Sequence, residues 1–222
     1  MDSNVLITQT ALELLEQQKP FVLASITSQM GSAPRTAGAR MIIDIDGAMY
    51  GTIGGGLVEA KVMNASKEVL ETRQSTFMFC NLKALDISGV DMICGRNAMV
   101  LLDPIYPTTE NTTVFGAWHK AATQNSAAFL TVVESEGHEF TVKGHGILSH
   151  DGSFFGNYDL NPLELPQSLQ AAKNSKNTQV LKLGEKNNVV VDPISMPKTL
   201  FCFGGGHVAK PTAHIANLVG FE

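Results

Sequence analysis

The sequence of 222 residues has little of what marks several protein classes. Only 17% of its residues are charged, its formal net charge is -5, and lysine and arginine form no cluster, so nucleic acid is not an expected partner. No apolar run approaches the roughly 18 residues that a membrane span needs. The first residues lack the basic stretch of a signal peptide. We therefore expect a cytoplasmic protein without membrane contact.

Cysteine is also scarce, and this bounds the chemistry. The three cysteines (Cys80, Cys94 and Cys202) have no paired spacing and are predicted to be reduced thiols, with Cys80 and Cys202 in the core. No histidine has metal-ligand spacing to another histidine or cysteine, and no G-x-S-x-G motif offers a nucleophile. The low charged fraction favours surface hidden in a homo-oligomer.

Apolar periodicity predicts an α/β fold whose N-terminal domain, residues 1–110, contains a mixed sheet. The expected helices span 4–18 and 57–73, and a hairpin turns at Asp46-Gly47. Residues 104–113 are expected to be a boundary or surface loop, and 111–195 a middle α/β segment ending in a linker at 192–198. No internal repeat is visible.

The last segment, residues 196–222, has the pattern of the first βα unit of a Rossmann-like domain. Residues 201–203 are predicted to end a strand, and Gly204, Gly206 and Ala209 fit the G-x-G-x-x-G/A fingerprint, with His207 near the phosphate position. NAD(P) or another nucleotide would bind there. The acidic ribose ligand expected about 20 residues later does not follow. We therefore expect the front part of a longer protein, truncated within this domain.

Three further segments carry candidate ligand residues. In the 31–40 loop, Ser32, Arg35 and Arg40 suit a phosphate or carboxylate, although a solvated surface loop has the same composition. Gly54, Gly55 and Gly56 lead into a helix whose free amides favour an anion. Glu59 in its first turn either caps the helix or binds a ligand amide, and close strand–helix packing is the alternative reason for the glycines.

The third of these segments is the turn at residues 90–96. Cys94 precedes a glycine, so its sulfur is a candidate ligand for a soft metal, with Arg96 able to lower its pKa. A buried, inert thiol is the alternative.

Taken together, four motifs in order resemble the XdhC family, the accessory proteins of xanthine dehydrogenase and related molybdenum hydroxylases. They are Gly31-Ser-Ala-Pro-Arg-Thr-Ala-Gly-Ala-Arg-Met41, Gly51-Thr-Ile-Gly-Gly-Gly-Leu-Val-Glu59, Met92-Ile-Cys-Gly-Arg96 and Gly204-Gly-Gly-His-Val-Ala209. Arg96 departs from the family pattern, which has glycine there.

The resemblance implies a chaperone rather than an enzyme. Such a protein binds molybdenum cofactor (molybdopterin), protects it during sulfuration by a cysteine desulfurase, and delivers it to the hydroxylase apoenzyme. Arg35 and the 54–56 turn would then hold the phosphate, Glu59 the pterin, and Cys94 the metal end. Two other functions fit the C-terminal fingerprint: an NAD(P)-dependent oxidoreductase and a nucleotide-sensing assembly factor.

Overall fold

The computed structural model describes residues 3–30, 37–81, 97–124, 127–136, 139–149, 151–160, 167–175, 177–194 and 200–218. These residues form five helices and ten strands. The helices are α1 (Ser3–Glu16), α2 (Leu57–Thr72), α3 (Thr109–Gln124), α4 (Gln167–Lys173) and α5 (Ala209–Leu218). The strands are β1 (Phe21–Met30), β2 (Arg40–Asp44), β3 (Met49–Gly51), β4 (Thr76–Asn81), β5 (Asn97–Ile105), β6 (Ala127–Glu136), β7 (Glu139–Ser149), β8 (Phe154–Gly156), β9 (Gln179–Leu183) and β10 (Asn187–Ile194).

The first half of the chain folds into a five-stranded sheet with the order β3-β2-β1-β5-β4. Strands β2 and β3 form the predicted hairpin at Asp46-Gly47, where Gly47 has a φ of 83° that glycine adopts without strain. Because side chains alternate along a strand, Met41 and Ile43 pack on the side of α2, while Ile42 packs on the side of α1.

The second half repeats this architecture. Its sheet has the order β8-β7-β6-β10-β9, and its elements follow one another as in the first half: a helix, three strands, a helix and two strands. Helices α3 and α4 therefore correspond to α1 and α2. The second hairpin turns at Asp151-Gly152, where Gly152 has a φ of 89°.

The hydrogen-bond register shows which residues correspond between the halves. Leu23 of β1 pairs with Asp103 of β5, and Phe129 of β6 pairs with Asp192 of β10. Asp103 and Asp192 are therefore equivalent, and each is followed by proline and isoleucine.

The same comparison matches the second strand of each half. Ser25 pairs with Arg40 in the first sheet, and Thr131 pairs with His145 in the second. Arg40 and His145 are thus equivalent positions. The structure therefore contains a repeat that the sequence does not show, because topology and register repeat while few side chains do.

In the described part of the chain, four apolar clusters pack the two sheets and their helices; the smallest joins Leu101 of the first sheet to Val133 and Val190 of the second, and the other three form layers. The middle layer lies between the halves and includes α1 and α3, one outer layer lies under α2, and the other lies under α4. The largest side chains of the middle layer, all nearly inaccessible to solvent, are Phe21, Phe115, Trp118 and Phe129. Burial of this apolar surface is the main source of the association between the halves.

The α/β class is confirmed, and Ile42 and Val100 lie in one sheet as the strand assignments require. All strand pairs that the structure describes are antiparallel, however, whereas a mixed sheet was expected. Short hairpins join β2 to β3, β6 to β7, β7 to β8 and β9 to β10, and such connections require antiparallel neighbours, because parallel neighbours need long crossovers.

Two segment assignments also need correction. The predicted surface loop at 104–113 contains the end of β5 and the start of α3, where Thr108 accepts the amide of Asn111 at its hydroxyl (3.1 Å). The predicted linker at 192–198 begins inside β10, which extends to Ile194. Pro193 lies near the end of this strand, beyond the pairing with β9 that stops at Val191, where proline is tolerated.

Candidate functional site

The glycine turn between β3 and α2 is the candidate binding site that the structure describes most fully. The φ values of Gly54, Gly55 and Gly56 are 131°, 81° and 61°, and residues other than glycine rarely adopt such values. Among the described residues, no heavy atom lies within 4 Å of the Cβ that any of the three would carry. Backbone conformation explains the glycines, therefore, and close strand–helix packing does not.

Glu59, in the first turn of α2, folds back onto this glycine turn. Its Oε1 accepts hydrogen bonds from the Thr52 hydroxyl (2.5 Å), the Ile53 amide (3.3 Å) and the Gly55 amide (3.0 Å). The Thr52 hydroxyl oxygen also accepts the Gly54 amide (3.2 Å). One carboxylate oxygen thus fixes the turn, while Oε2 makes no hydrogen bond to the described residues and is available to a ligand donor.

The helix itself adds a region of positive potential beside the carboxylate. Gly56 is the residue before α2 and provides no side-chain cap to the first helical amides. Uncapped amides and the helix dipole favour an anion at this point. The turn therefore combines two binding features within a few residues: an anion site at the start of the helix and a hydrogen-bond acceptor at Glu59.

Arg40 does not join this site, which corrects its prediction as a ligand residue. Its side chain lies on the face of β2 opposite α2, between the halves, where it forms an ion pair with Asp192. The guanidinium lies over the rings of Trp118 (4.8 Å) and Phe129 (5.7 Å). Burial lowers the pKa of Arg40 to about 9, so the side chain remains charged at neutral pH.

A second buried pair occupies the equivalent place. His145 Nε2 lies 2.6 Å from Asp103 Oδ2, and both side chains are buried. The His145 ring stacks on Phe129, with the ring centroids 5.6 Å apart. Neither this pair nor Asp192 was predicted from the sequence; the one signal that could have found the aspartates is the recurrence of Asp-Pro-Ile near the end of each half.

Three predicted site residues, Ser32, Arg35 and Cys94, lie outside the described residues and stay predictions. Of the other cysteines, Cys80 is buried as predicted, but Cys202 is exposed rather than in the core. Within the described part of the chain, no group of three or more metal-ligating side chains occurs.

The C-terminal fingerprint has the predicted helix without the predicted strand. Residues 201–203 form no strand, and Phe203 is 98% exposed, because no described strand pairs with this segment. Gly204, Gly206 and His207 are exposed ahead of α5, and Gly204 has the positive φ, 101°, of a glycine turn. Nucleotide binding there stays a prediction. No helix in the described ranges is long and apolar enough to span a membrane.

Comparison with known sequences places the glycine turn in a defined family segment. Residues 14–80 match the profile of the XdhC and CoxI family. This segment is similar to the XdhC and CoxI family. It contains the whole of the first hairpin, the glycine turn and α2, and it confirms the resemblance inferred from the motifs.

Two curated relatives extend the comparison. The chain is 35% identical over 121 residues, 54% of its length, to the uncharacterized protein YqeB of Escherichia coli K12, of which it covers 22%. It is 26% identical over 209 residues, 94% of its length, to a probable xanthine dehydrogenase subunit of Bacillus subtilis 168, of which it covers 60%.

A solved structure shares the fold over nearly the whole chain. It is the crystal structure described as a xanthine dehydrogenase from Bacillus halodurans, with a TM-score of 0.63 and 22% identity. The similarity covers 95% of this chain and 60% of that one. The chain thus spans less than two thirds of the length of each of these proteins.

Proposed function

We propose that the protein is an accessory factor of a xanthine dehydrogenase-type molybdenum hydroxylase, which binds molybdenum cofactor and delivers it to the apoenzyme. The observation that carries this proposal is the glycine turn held by Glu59 inside the XdhC and CoxI family segment. The names of the Bacillus relatives, both described as xanthine dehydrogenase proteins, support the partner class.

The donors and acceptors of the turn suit the chemistry of a pterin phosphate. Molybdopterin carries an anionic phosphate at one end and amine and amide N–H groups on its pterin ring. The uncapped start of α2 favours the phosphate, and Oε2 of Glu59 can accept a pterin N–H in a charge-assisted hydrogen bond. Within the described part of the chain, the space beside Gly54, Gly55 and Gly56 is open and leaves room for such a ligand.

The proposal extends to the predicted residues and partners that the turn alone does not reach. Ser32 and Arg35 would add donors to the phosphate, and Cys94 would face the metal or its labile sulfur. A cysteine desulfurase would install that sulfur while the cofactor is held. The bound cofactor supplies the metal centre that the hydroxylase uses. The protein holds it in place and limits the access of water and oxygen.

Self-association belongs to the same proposal. Several large apolar side chains of the 200–218 segment are exposed, and contiguous exposed apolar surface commonly marks an interface. They are Phe201, Phe203, Val208, Ile215 and Leu218. Sedimentation at micromolar concentration is expected to give an oligomer, and a stable monomer would contradict this part.

The binding role of Glu59 can be separated from its structural role with one conservative variant. Glu59→Gln keeps an oxygen for the turn but removes the charge, whereas Glu71→Gln alters an exposed carboxylate at the other end of α2. A charged hydrogen bond is worth about 1.5–3 kcal/mol, so pterin retained on purification should fall about tenfold or more in Glu59→Gln. Equal retention in the two variants would refute the assignment.

A further inference from the structure

We infer that Asp192, in the second half of the chain, is a positioning residue for the glycine turn in the first half. This deepens the proposed function and rests on it for the role of the turn as a ligand site. The geometry linking Asp192 to the turn is independent of that role. Asp192 lies outside the family segment 14–80, so the site would depend on a residue that the family segment does not contain.

The connection from Asp192 to the glycine turn starts with the contacts that hold Asp192 in place. Asp192 lies in β10, which pairs with β6 and β9, and its Oδ1 accepts a hydrogen bond from the Thr178 hydroxyl (2.7 Å). Its carboxylate also meets the guanidinium of Arg40, whose side chain is 7% exposed. A buried ion pair with additional hydrogen bonds holds both partners in one geometry, because either charge alone would be costly to bury.

The contact extends from the Arg40 side chain to the backbone around it. Gly38 has a φ of 96°, and a Cβ there would lie 2.7 Å from Thr178 Oγ1 and 3.0 Å from Asp192 Oδ1. The first half thus contacts the second at two points: the backbone of Gly38 packs closely against Thr178 and Asp192, and Arg40 forms an ion pair with Asp192. Asp192 contributes to both contacts, which fixes the start of β2.

From the start of β2 the path to the turn is short. Met41 pairs with Gly51 of β3, and the Cβ that Gly51 would carry lies 2.7 Å from the Arg40 carbonyl oxygen. Gly51 has a φ of 81° and is followed at once by Thr52, whose hydroxyl binds Glu59 and the Gly54 amide. A displacement of Arg40 is therefore expected to move the residues that hold the glycine turn.

The Asp103–His145 pair, which is equivalent to Asp192–Arg40, gives a matched control. Asp103 contacts His145 in β7, and β7 leads through its hairpin to β8 rather than to the glycine turn. At the position corresponding to Thr52 stands Asn157, which accepts the His145 amide and donates to Asn111. Loss of Asp103 should loosen the association of the halves without acting on the turn through β2.

The test compares Asp192→Asn with Asp103→Asn in the full chain by amide hydrogen exchange. Exchange at Ile53, Gly54 and Gly55 should accelerate at least tenfold in Asp192→Asn and less than twofold in Asp103→Asn. Both variants should have lower melting temperatures, so a purely structural role would not separate them. If Asp192→Asn does not fold, Thr178→Ala takes its place, with the same direction of change expected.

The exchange rates at the turn test the positioning role of Asp192, and the pterin content tests the proposed ligand. Unchanged exchange at the turn in Asp192→Asn, or equal acceleration in both variants, would overturn the inference. Pterin content, measured on the same samples, tests the proposed function separately. If the wild-type protein retains no pterin but exchange at the turn accelerates only in Asp192→Asn, the positioning role stands and the proposed ligand is wrong.

Discussion

At the residue scale, the glycine turn depends on backbone conformation, and this gives a direct prediction. Gly55→Ala should lower the free energy of unfolding by about 1–2 kcal/mol, because a side chain is disfavoured at a φ of 81° even with open space around it. Gly205→Ala, at an exposed glycine without positive φ, should change stability by less than about 0.5 kcal/mol. Urea unfolding measures both, and equal effects would contradict the argument.

A second prediction at this scale concerns Cys80 and alkaline pH. Burial raises the pKa of its thiol above the ordinary value of 9.0. As the pH rises through 9, the unfolded chain loses this proton while the folded chain keeps it, so the unfolded state binds fewer protons and stability falls. Cys80→Val should make that fall shallower between pH 8 and 10.

The control for this prediction is Cys202→Val, which alters an exposed thiol. Its stability should follow the wild-type pH dependence. The slope that remains in Cys80→Val is assigned in part to Tyr106, whose hydroxyl pKa is also raised by burial. An unchanged slope in Cys80→Val, measured by denaturant unfolding at each pH, would show that the thiol does not contribute.

The sequence was informative about site residues where the chemistry is local. The contact of Glu59 with the glycine turn could be predicted, since both lie within one strand–turn–helix segment. Arg40 could not be assigned correctly, because its ion pair is with Asp192, far away in the chain. Its fork geometry suits a carboxylate of the protein as well as it suits a ligand phosphate.

At the element scale, hairpins and helices were predicted well and strand partners were not. The Asp-Gly pair by itself predicts a tight hairpin turn, and the apolar spacing of α2 predicts which face of the helix is buried. The apolar residues at 201–203 have strand propensity, but a strand needs a neighbour to pair with. Pairing is a tertiary property that composition does not contain.

The contact between the residues just before β2 and just before β9, Gly38 and Thr178, gives the prediction at this scale. Gly38→Ala should cost about 2 kcal/mol or more, since it adds both a disfavoured φ and an overlap with the Thr178 hydroxyl. In a Thr178→Ala background the overlap is reduced, and the same substitution should cost about 1 kcal/mol less. A double-mutant cycle by urea unfolding measures this coupling, and strict additivity would argue against the contact.

At the scale of the whole molecule, two similar halves are joined through a buried middle layer that contains the Arg40–Asp192 ion pair and the His145–Asp103 hydrogen bond. Arg40→Ala should lower the free energy of unfolding by about 3–5 kcal/mol, because it leaves the Asp192 carboxylate buried without its partner. The neutral combination Arg40→Met with Asp192→Asn should recover part of this loss. Thermal and denaturant unfolding compare the variants, and a double variant less stable than Arg40→Ala would contradict the account.

The arrangement of the halves also explains why the repeat was invisible in the sequence. Its two members share register, hairpin turns and the Asp-Pro-Ile ends of β5 and β10, yet the glycine turn of the first half has no glycine-rich counterpart at 157–160 in the second. Backbone topology tolerates such divergence as long as the apolar pattern is kept. The site is therefore asymmetric although the fold is symmetric.

The measurement that tests the central claim most directly is transfer of molybdenum cofactor to a cofactor-free xanthine dehydrogenase-type hydroxylase. Protein purified with bound pterin should restore hydroxylase activity on mixing, and Glu59→Gln purified in parallel should restore much less because it arrives with less cofactor. The released pterin should appear in the hydroxylase after the two proteins are separated. If pterin-loaded protein restores no activity while free cofactor activates the same apoenzyme, the delivery role is wrong.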